Sequence, residues 1–251
     1  MGTRVSIMGL ELDLLTQETC KAELLGYLSN DILNVVHIIS LDYMDTYDEN
    51  EMVQEVLAEA DMVLPGEKTI LSAHHVEVLE TGGMVVNYRS LLELVEPLQL
   101  NDKTFYLVLR NEKEAREIYR YMCRHFPKEN ILGIYVDEEN AAEEMVVNDI
   151  NTKVPDIIVL SMDSTRQEEW LANNRGKLNA KLCLAVGSIM PHILRDNVHV
   201  PLWIRKLHCA GLFRFLVQIP NSKFFRKRIF NRKMDDYNTK KKLRGNQNEG
   251  Q

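Results

Sequence analysis

The chain has 251 residues, 45% apolar and 27% charged, which suits one domain of ordinary size, or one domain plus an appendage, and excludes a wholly disordered chain. Twelve Gly and seven Pro exclude collagen-like and low-complexity classes, and four scattered Cys without a C-x-x-C pair point away from disulfide scaffolds, zinc sites and thioredoxin chemistry, toward a reducing compartment. The net charge is −7, no run of about 18 apolar residues is present to span a bilayer, and no apolar stretch follows Met1-Gly2-Thr3-Arg4, so no secretory signal is expected.

Short apolar runs alternate with longer amphipathic segments. Strands are predicted over residues 4–8, 34–40, 61–65, 104–109, 131–136, 156–161 and 181–187. Helices are predicted over 17–28, 50–60, 88–98, 112–126, 138–150 and 165–178. The clearest helix is 112–126, where Ala115, Ile118, Tyr119 and Met122 recur at helical spacing with charges opposite. Residues 73–87 are the least regular, and Gly82-Gly83 marks a turn there. Runs such as Ile157-Ile158-Val159-Leu160 are apolar on successive residues, as in strands covered on both faces. The alternation predicts an α/β, Rossmann-like body over residues 1–195, a parallel sheet with helices on both faces and right-handed crossovers. Ligands in such folds sit beyond the carboxyl ends of the strands, so the following loops are the candidate site.

After Gly187 the pattern changes. Residues 201–251 hold 13 Lys and Arg against 3 Asp and Glu, whereas the first 200 residues hold 17 against 34. Pro201 to Ile219 is apolar with Arg205, Lys206 and Arg214 interspersed. Beyond Pro220, Phe224, Phe225, Ile229 and Phe230 alternate with Lys223, Arg226, Lys227, Arg228, Arg232 and Lys233. As a helix, this places aromatics on one face and cations on the other, the pattern of an interfacial helix on an anionic membrane. The alternative is a helix packed on the body with a solvated basic face. Residues 196–234 are therefore read as a basic amphipathic helical appendage, and 235–251 as a disordered tail. Nucleic acid is not the expected partner, because the acidic body repels a polyanion.

Three strand-end loops carry candidate chemistry. Ser40-Leu41-Asp42 follows the second strand and could bind a ligand or simply cap and turn. Pro65-Gly66-Glu67-Lys68 follows the third, with a single Gly that makes neither a P-loop nor a G-x-G-x-x-G. In Ser161 to Trp170, Ser164 or Thr165 is positioned to cap a helix starting with Gln167 and Glu168, and Gln167 could face an anionic ligand from that helix start. No G-x-S-x-G elbow or H-E-x-x-H pair is present, and His74-His75 reads as ordinary helix or loop.

These loops carry a resemblance. Ala60-Asp61-Met62-Val63-Leu64-Pro65, then Gln167-Glu168-Glu169-Trp170-Leu171-Ala172-Asn173-Asn174-Arg175, then Pro201-Leu202-Trp203-Ile204-Arg205-Lys206-Leu207 with Leu212-Phe213-Arg214, resemble the WecG/TagA/CpsF family of bacterial glycosyltransferases from Val5 to about Arg228. The resemblance implies inverting, metal-independent transfer of a sugar, often N-acetylmannosamine. The donor is a UDP-sugar and the acceptor a lipid-linked saccharide, in teichoic acid, enterobacterial antigen or capsule synthesis. It also implies a peripheral position at the cytoplasmic membrane face, a basic appendage that meets the membrane, no resident cofactor, and a tendency to self-associate.

The chain departs from the family pattern at several points. The family places Asp-Gly after Val-Leu-Pro, with that Asp the proposed base; here Gly66 stands at the Asp position. The T-x-N loop is Ser40-Leu41-Asp42, and the R-V-T-G-x-D stretch aligns with Met84-Val85-Val86-Asn87-Tyr88-Arg89. The Gly-rich loop after the fourth core strand aligns near Leu109-Arg110-Asn111-Glu112, without Gly. An inverting transferase needs a base near the acceptor hydroxyl and cations or amides for the leaving diphosphate. By charge and position, Glu67 and Asp42 are the candidate bases and Lys68 and Arg89 the candidate diphosphate partners. Ser40 and Gln167 keep family-like chemistry at the substrate, and Arg205, Arg214, Arg226 and Arg228 are expected at the membrane or acceptor. The alternative function is a catalytically degenerate, membrane-associated scaffold for a polysaccharide-assembly partner.

Overall fold

The structure, a computed structural model, describes residues 3–73, 100–137, 143–187 and 230–239. The chain forms two compact units, Met1–Leu194 and Arg195–Gln251. The first unit opens with Thr3–Ile7 (β1) and Leu10–Leu14 (β2), an antiparallel hairpin. Met8 and Gly9, at φ 53° and 86°, make its two-residue turn. Then come Gln17–Ser29 (α1), Asn34–Ile39 (β3), Leu41–Glu49 (α2), Glu51–Ala58 (α3), Met62–Pro65 (β4) and Lys68–Ala73 (α4). Phe105–Leu109 (β5), Glu112–His125 (α5), Ile131–Val136 (β6), Glu143–Lys153 (α6), Ile157–Ser161 (β7), Ser164–Asn174 (α7) and Leu182–Ala185 (β8) follow.

Strands β3 to β8 form one sheet in the order β4-β3-β8-β7-β5-β6, and every neighbouring pair is parallel. Its strands are apolar on both faces because both faces are covered. Val36, Ile38, Leu107, Leu109, Ile157 and Val159 face a core shared with Cys20, Leu24 and Leu28 of α1 and Ile118 and Met122 of α5. Their alternates Val35, Val108, Ile158 and Leu160 face Val146 and Ile150 of α6 and Trp170 and Leu171 of α7. The fold is thus the α/β, Rossmann-like arrangement expected.

Three local expectations are corrected. The first predicted strand pairs in the β1–β2 hairpin and not in the parallel sheet. The alternation Leu10-Glu11-Leu12-Asp13-Leu14 carries that hairpin, with the leucines buried. The hairpin covers the β4 edge, where Asp13 Oδ2 accepts the Val63 N–H at 2.8 Å. Secondly, α2, a helix outside those predicted, begins at Leu41, and Ser40 takes the cap, one of the two roles expected of its loop. Thirdly, α7 begins at Ser164, three residues before Gln167, with Asp163 in the cap position. Asp163 makes no cap bond because its carboxylate is held by Arg110 at 2.8 Å, and the Ser164 hydroxyl bonds to Thr46 at 2.8 Å.

Within the second unit, residues 230–239 form a helix, α8, which continues past residue 234, where the tail is expected to lose structure. Phe230 and Met234, one turn apart, are buried, while Arg232 is exposed, and the Thr239 hydroxyl donates to the Asp235 carbonyl at 2.8 Å.

Gly133 on the edge strand β6 lies under the Tyr106 ring: a Cβ there would stand 2.3 Å from Tyr106 Cε2. The ring is fixed, because its hydroxyl donates to Asp149 at 2.6 Å and Lys153 lies over its face. Gly133→Ala is therefore expected to destabilise the protein by about 1 to 3 kcal/mol, read as a lower urea midpoint.

Candidate active site at the carboxyl edge of the sheet

The loops leaving β3 and β4 meet at the start of α2. Ser40 is buried and caps this helix, its Oγ accepting the Tyr43 N–H at 3.2 Å. Glu67 reaches across from the β4 exit, and its Oε1 accepts the Leu41 N–H at 3.0 Å. Gly66 anchors that exit loop by donating its N–H to the Ile39 carbonyl at 2.8 Å. Asp42 is exposed on the first turn of α2. Ser40, Asp42 and Glu67 are thus gathered around one helix N-terminus, where negative charge is favoured. Lys68 follows directly as the first residue of α4. Gly66 has no side chain to take a proton.

A second group lies beneath this one. His37 interrupts the apolar β3 and points toward α7, where its Nε2 meets Glu168 Oε2 at 2.9 Å with both side chains buried. Glu168 Oε1 accepts from Gln167 Nε2 at 2.8 Å, and Gln167 Oε1 accepts the Gly187 N–H at 2.9 Å. The Gly187 carbonyl accepts from the Ser161 hydroxyl at 3.1 Å. Burial pushes the Glu168 carboxyl up. The His37 charge and hydrogen bonds from His37 and Gln167 outweigh it and hold Glu168 below its ordinary value. Burial pushes the Tyr43 phenol well up, and the neighbouring Glu168 charge adds to this. Gln167 is thus wholly buried with its amide bonded at both ends, and a Cβ added at Gly187 would stand 3.8 Å from the Tyr43 ring of α2.

The sheet's connections reverse between β5, which leads to β6, and β7, which leads to β8, the position where such folds open a ligand crevice. Here Arg110 bridges the two exits, bonded to Asp163 at 2.8 Å and also to Glu114. The Asn111 side chain caps α5. An arginine–carboxylate cluster therefore occupies these two strand exits.

Of the residues singled out from sequence, the structure brings Ser40, Asp42 and Glu67 together and sets Gln167 below them. Arg89, Arg205, Arg214, Arg226, Arg228, His74, His75, Gly82, Gly83 and the predicted helix 88–98 lie outside the described residues. Sequence reasoning misses the buried His37–Glu168 pair, although a histidine inside an apolar strand is the signal that could have found it.

A doubly wound parallel sheet with carboxylates and helix N-termini gathered at its carboxyl edge defines a Rossmann-like α/β protein. The chain belongs to the glycosyl transferase WecG/TagA/CpsF family, whose model matches residues 5–230. It is 22% identical over 222 residues to the N-acetylglucosaminyldiphosphoundecaprenol N-acetyl-beta-D-mannosaminyltransferase of Staphylococcus aureus strain MRSA252, covering 85% of each chain. It is 21% identical, with the same coverage of both chains, to the protein of that name in S. aureus strain NCTC 8325 / PS 47. Among the described residues, no helix is long and apolar enough to cross a membrane.

Proposed function

We propose that the protein transfers an N-acetylmannosamine-type sugar from a UDP-sugar to a lipid-linked saccharide acceptor in cell-surface polysaccharide or teichoic acid synthesis. The observation that carries this reading is the gathering of Ser40, Asp42 and Glu67 at the α2 N-terminus, at the ligand-binding edge of a family transferase fold. The acceptor hydroxyl oxygen bonds to the anomeric carbon as the bond from that carbon to the diphosphate breaks. The hydroxyl proton passes to a carboxylate, with Glu67 the first candidate and Asp42 the second. Lys68 and Arg89 would offset the charge of the leaving UDP, Ser40 would order the substrate side with the buried Gln167 behind it rather than on the substrate, and no metal takes part. Arg205, Arg214, Arg226 and Arg228 would meet the anionic inner face of the cell membrane and the acceptor's diphosphate.

A second reading, a non-catalytic membrane-associated scaffold, is favoured by Gly66 at the base position and by the bond that ties Glu67 to Leu41. Calorimetry with UDP and UDP-N-acetylmannosamine, followed by transfer to a lipid-linked N-acetylglucosamine acceptor, separates the two. Micromolar donor binding with product formation is expected. No binding at millimolar donor would leave the scaffold reading.

A further inference from the structure

Gln167 and Glu168 are consecutive on α7, yet both side chains are fully buried. An ionised carboxylate only accepts hydrogen bonds, so Glu168 obliges the Gln167 amide to present its NH2 group. The Gln167 carbonyl oxygen is then left for the Gly187 N–H. The Gly187 carbonyl takes the Ser161 hydroxyl. Three bonds thus run in one direction, Ser161 to Gly187 to Gln167 to Glu168, and the carboxylate at the end sets their sense. Gly187, at φ 51°, makes a left-handed turn at the exit of β8 beside the Tyr43 ring. On the β3 side the same logic puts a proton on His37 Nε2, and among the described residues His37 Nδ1 has no hydrogen-bond partner.

The geometry points to Glu168 as a positioning residue: acting through Gln167, it fixes the Gly187 turn beneath the cluster at the head of α2. This rests on the reading that the strand ends hold the transfer site. Glu168→Gln breaks the directional chain without changing its size. The introduced amide would accept from His37 through its oxygen and turn its own NH2 toward Gln167. Gln167 must then face either that NH2 or the Gly187 N–H donor to donor. The only escape leaves His37 protonated at Nδ1 alone, and among the described residues Nδ1 has no hydrogen-bond partner. Exchanging the two residues, Gln167→Glu with Glu168→Gln, matches every donor again. The carboxylate introduced by the first substitution accepts both the Gly187 N–H and the NH2 of the amide introduced by the second. The oxygen of that amide accepts from His37.

The test uses the full chain as wild type, Glu168→Gln and the exchanged double variant. Hydrogen exchange at the Gly187 amide is read beside kcat and KM for UDP-N-acetylmannosamine. Glu168→Gln is expected to speed Gly187 exchange about tenfold and lower kcat about tenfold with KM nearly unchanged. The double variant is expected to return both to within about threefold of wild type. Unchanged Gly187 exchange in a folded Glu168→Gln protein overturns the proposal. So does faster exchange with undiminished kcat, which would make the residue structural only. If Glu168→Gln does not fold, the double variant decides: wild-type exchange and turnover support the proposal, and misfolding or fast exchange overturns it. A wild-type chain that performs no transfer overturns the functional reading itself, a result distinct from both because the exchange measurement needs no turnover.

Discussion

Replacing His37 with leucine is expected to lower the unfolding free energy at neutral pH by about 3 to 5 kcal/mol, because it leaves a buried carboxylate without its partner. Glu168 is 0% exposed, and His37 Nε2 stands 2.9 Å from its Oε2. Adding Glu168→Leu to the same protein is expected to recover much of the loss, since two apolar side chains require no partner. The pH dependence separates this cause from a packing defect. In the wild type, burial raises the Glu168 carboxyl, and His37 with the surrounding hydrogen bonds more than offsets it, so it titrates below its ordinary value of 4.5. A depressed folded value contributes stability that is fully present above the ordinary carboxylate range and lost as pH falls through the folded value. In His37→Leu the desolvation is no longer offset, so the sign reverses: the charged form is the costly one, and acidification relieves it by protonation. Urea unfolding from about pH 7 down to about pH 4 should show the gap between wild type and variant narrowing. A gap constant with pH would assign the loss to packing and leave the ion pair without a stabilising role.

The parallel sheet is the feature most legible in the sequence, because successive apolar residues such as Ile157 to Leu160 have few other uses in a chain of this composition. The hairpin is less legible: Leu10, Leu12 and Leu14 alternate over only five residues. Helix α2 is harder still, since Asp42, Asp45, Asp48 and Glu49 give it a loop-like composition. What makes it a helix is the Ser40 cap and the burial of Leu41, Tyr43 and Met44.

The motifs behind the resemblance are legible for a reason unrelated to chemistry. Asp61 accepts the Val35 N–H at 2.7 Å and pairs with Arg175 at 3.1 Å, tying the amino ends of β3 and β4 to the end of α7, opposite the candidate site. Trp170 is core, and Asn174 holds Glu143 and the Trp170 carbonyl. These residues act as fasteners of the fold, so they identify the family while saying little about the reaction. The candidate site is legible only as positions at strand ends. That Glu67 turns to the head of α2 depends on how the β4 exit crosses β3, which no local pattern encodes. The His37–Glu168 pair spans 131 residues and is invisible to any local window.

Glu67→Gln is expected to lower the rate of sugar transfer by about 10²- to 10⁴-fold, the usual contribution of a general base. The substitution isolates the chemistry from the structure. Glu67 Oε1 accepts the Leu41 N–H at 3.0 Å, and a glutamine carbonyl oxygen can accept the same bond from the same place. The cap on α2 is therefore kept, and the unfolding free energy should move by no more than about 1 kcal/mol. What is lost is the capacity to take the acceptor's proton. Donor binding, measured by calorimetry on the same sample, should change little, because the base acts on the acceptor. Asp42→Asn is the matched comparison, since Asp42 is exposed on the first turn of the same helix. If Glu67 is the base, Asp42→Asn should cost less than about tenfold. The reverse pattern would move the base to Asp42 and leave Glu67 as the cap of α2. Full turnover in both variants would show that neither carboxylate takes the proton, and with it the role assigned to this helix N-terminus would fall.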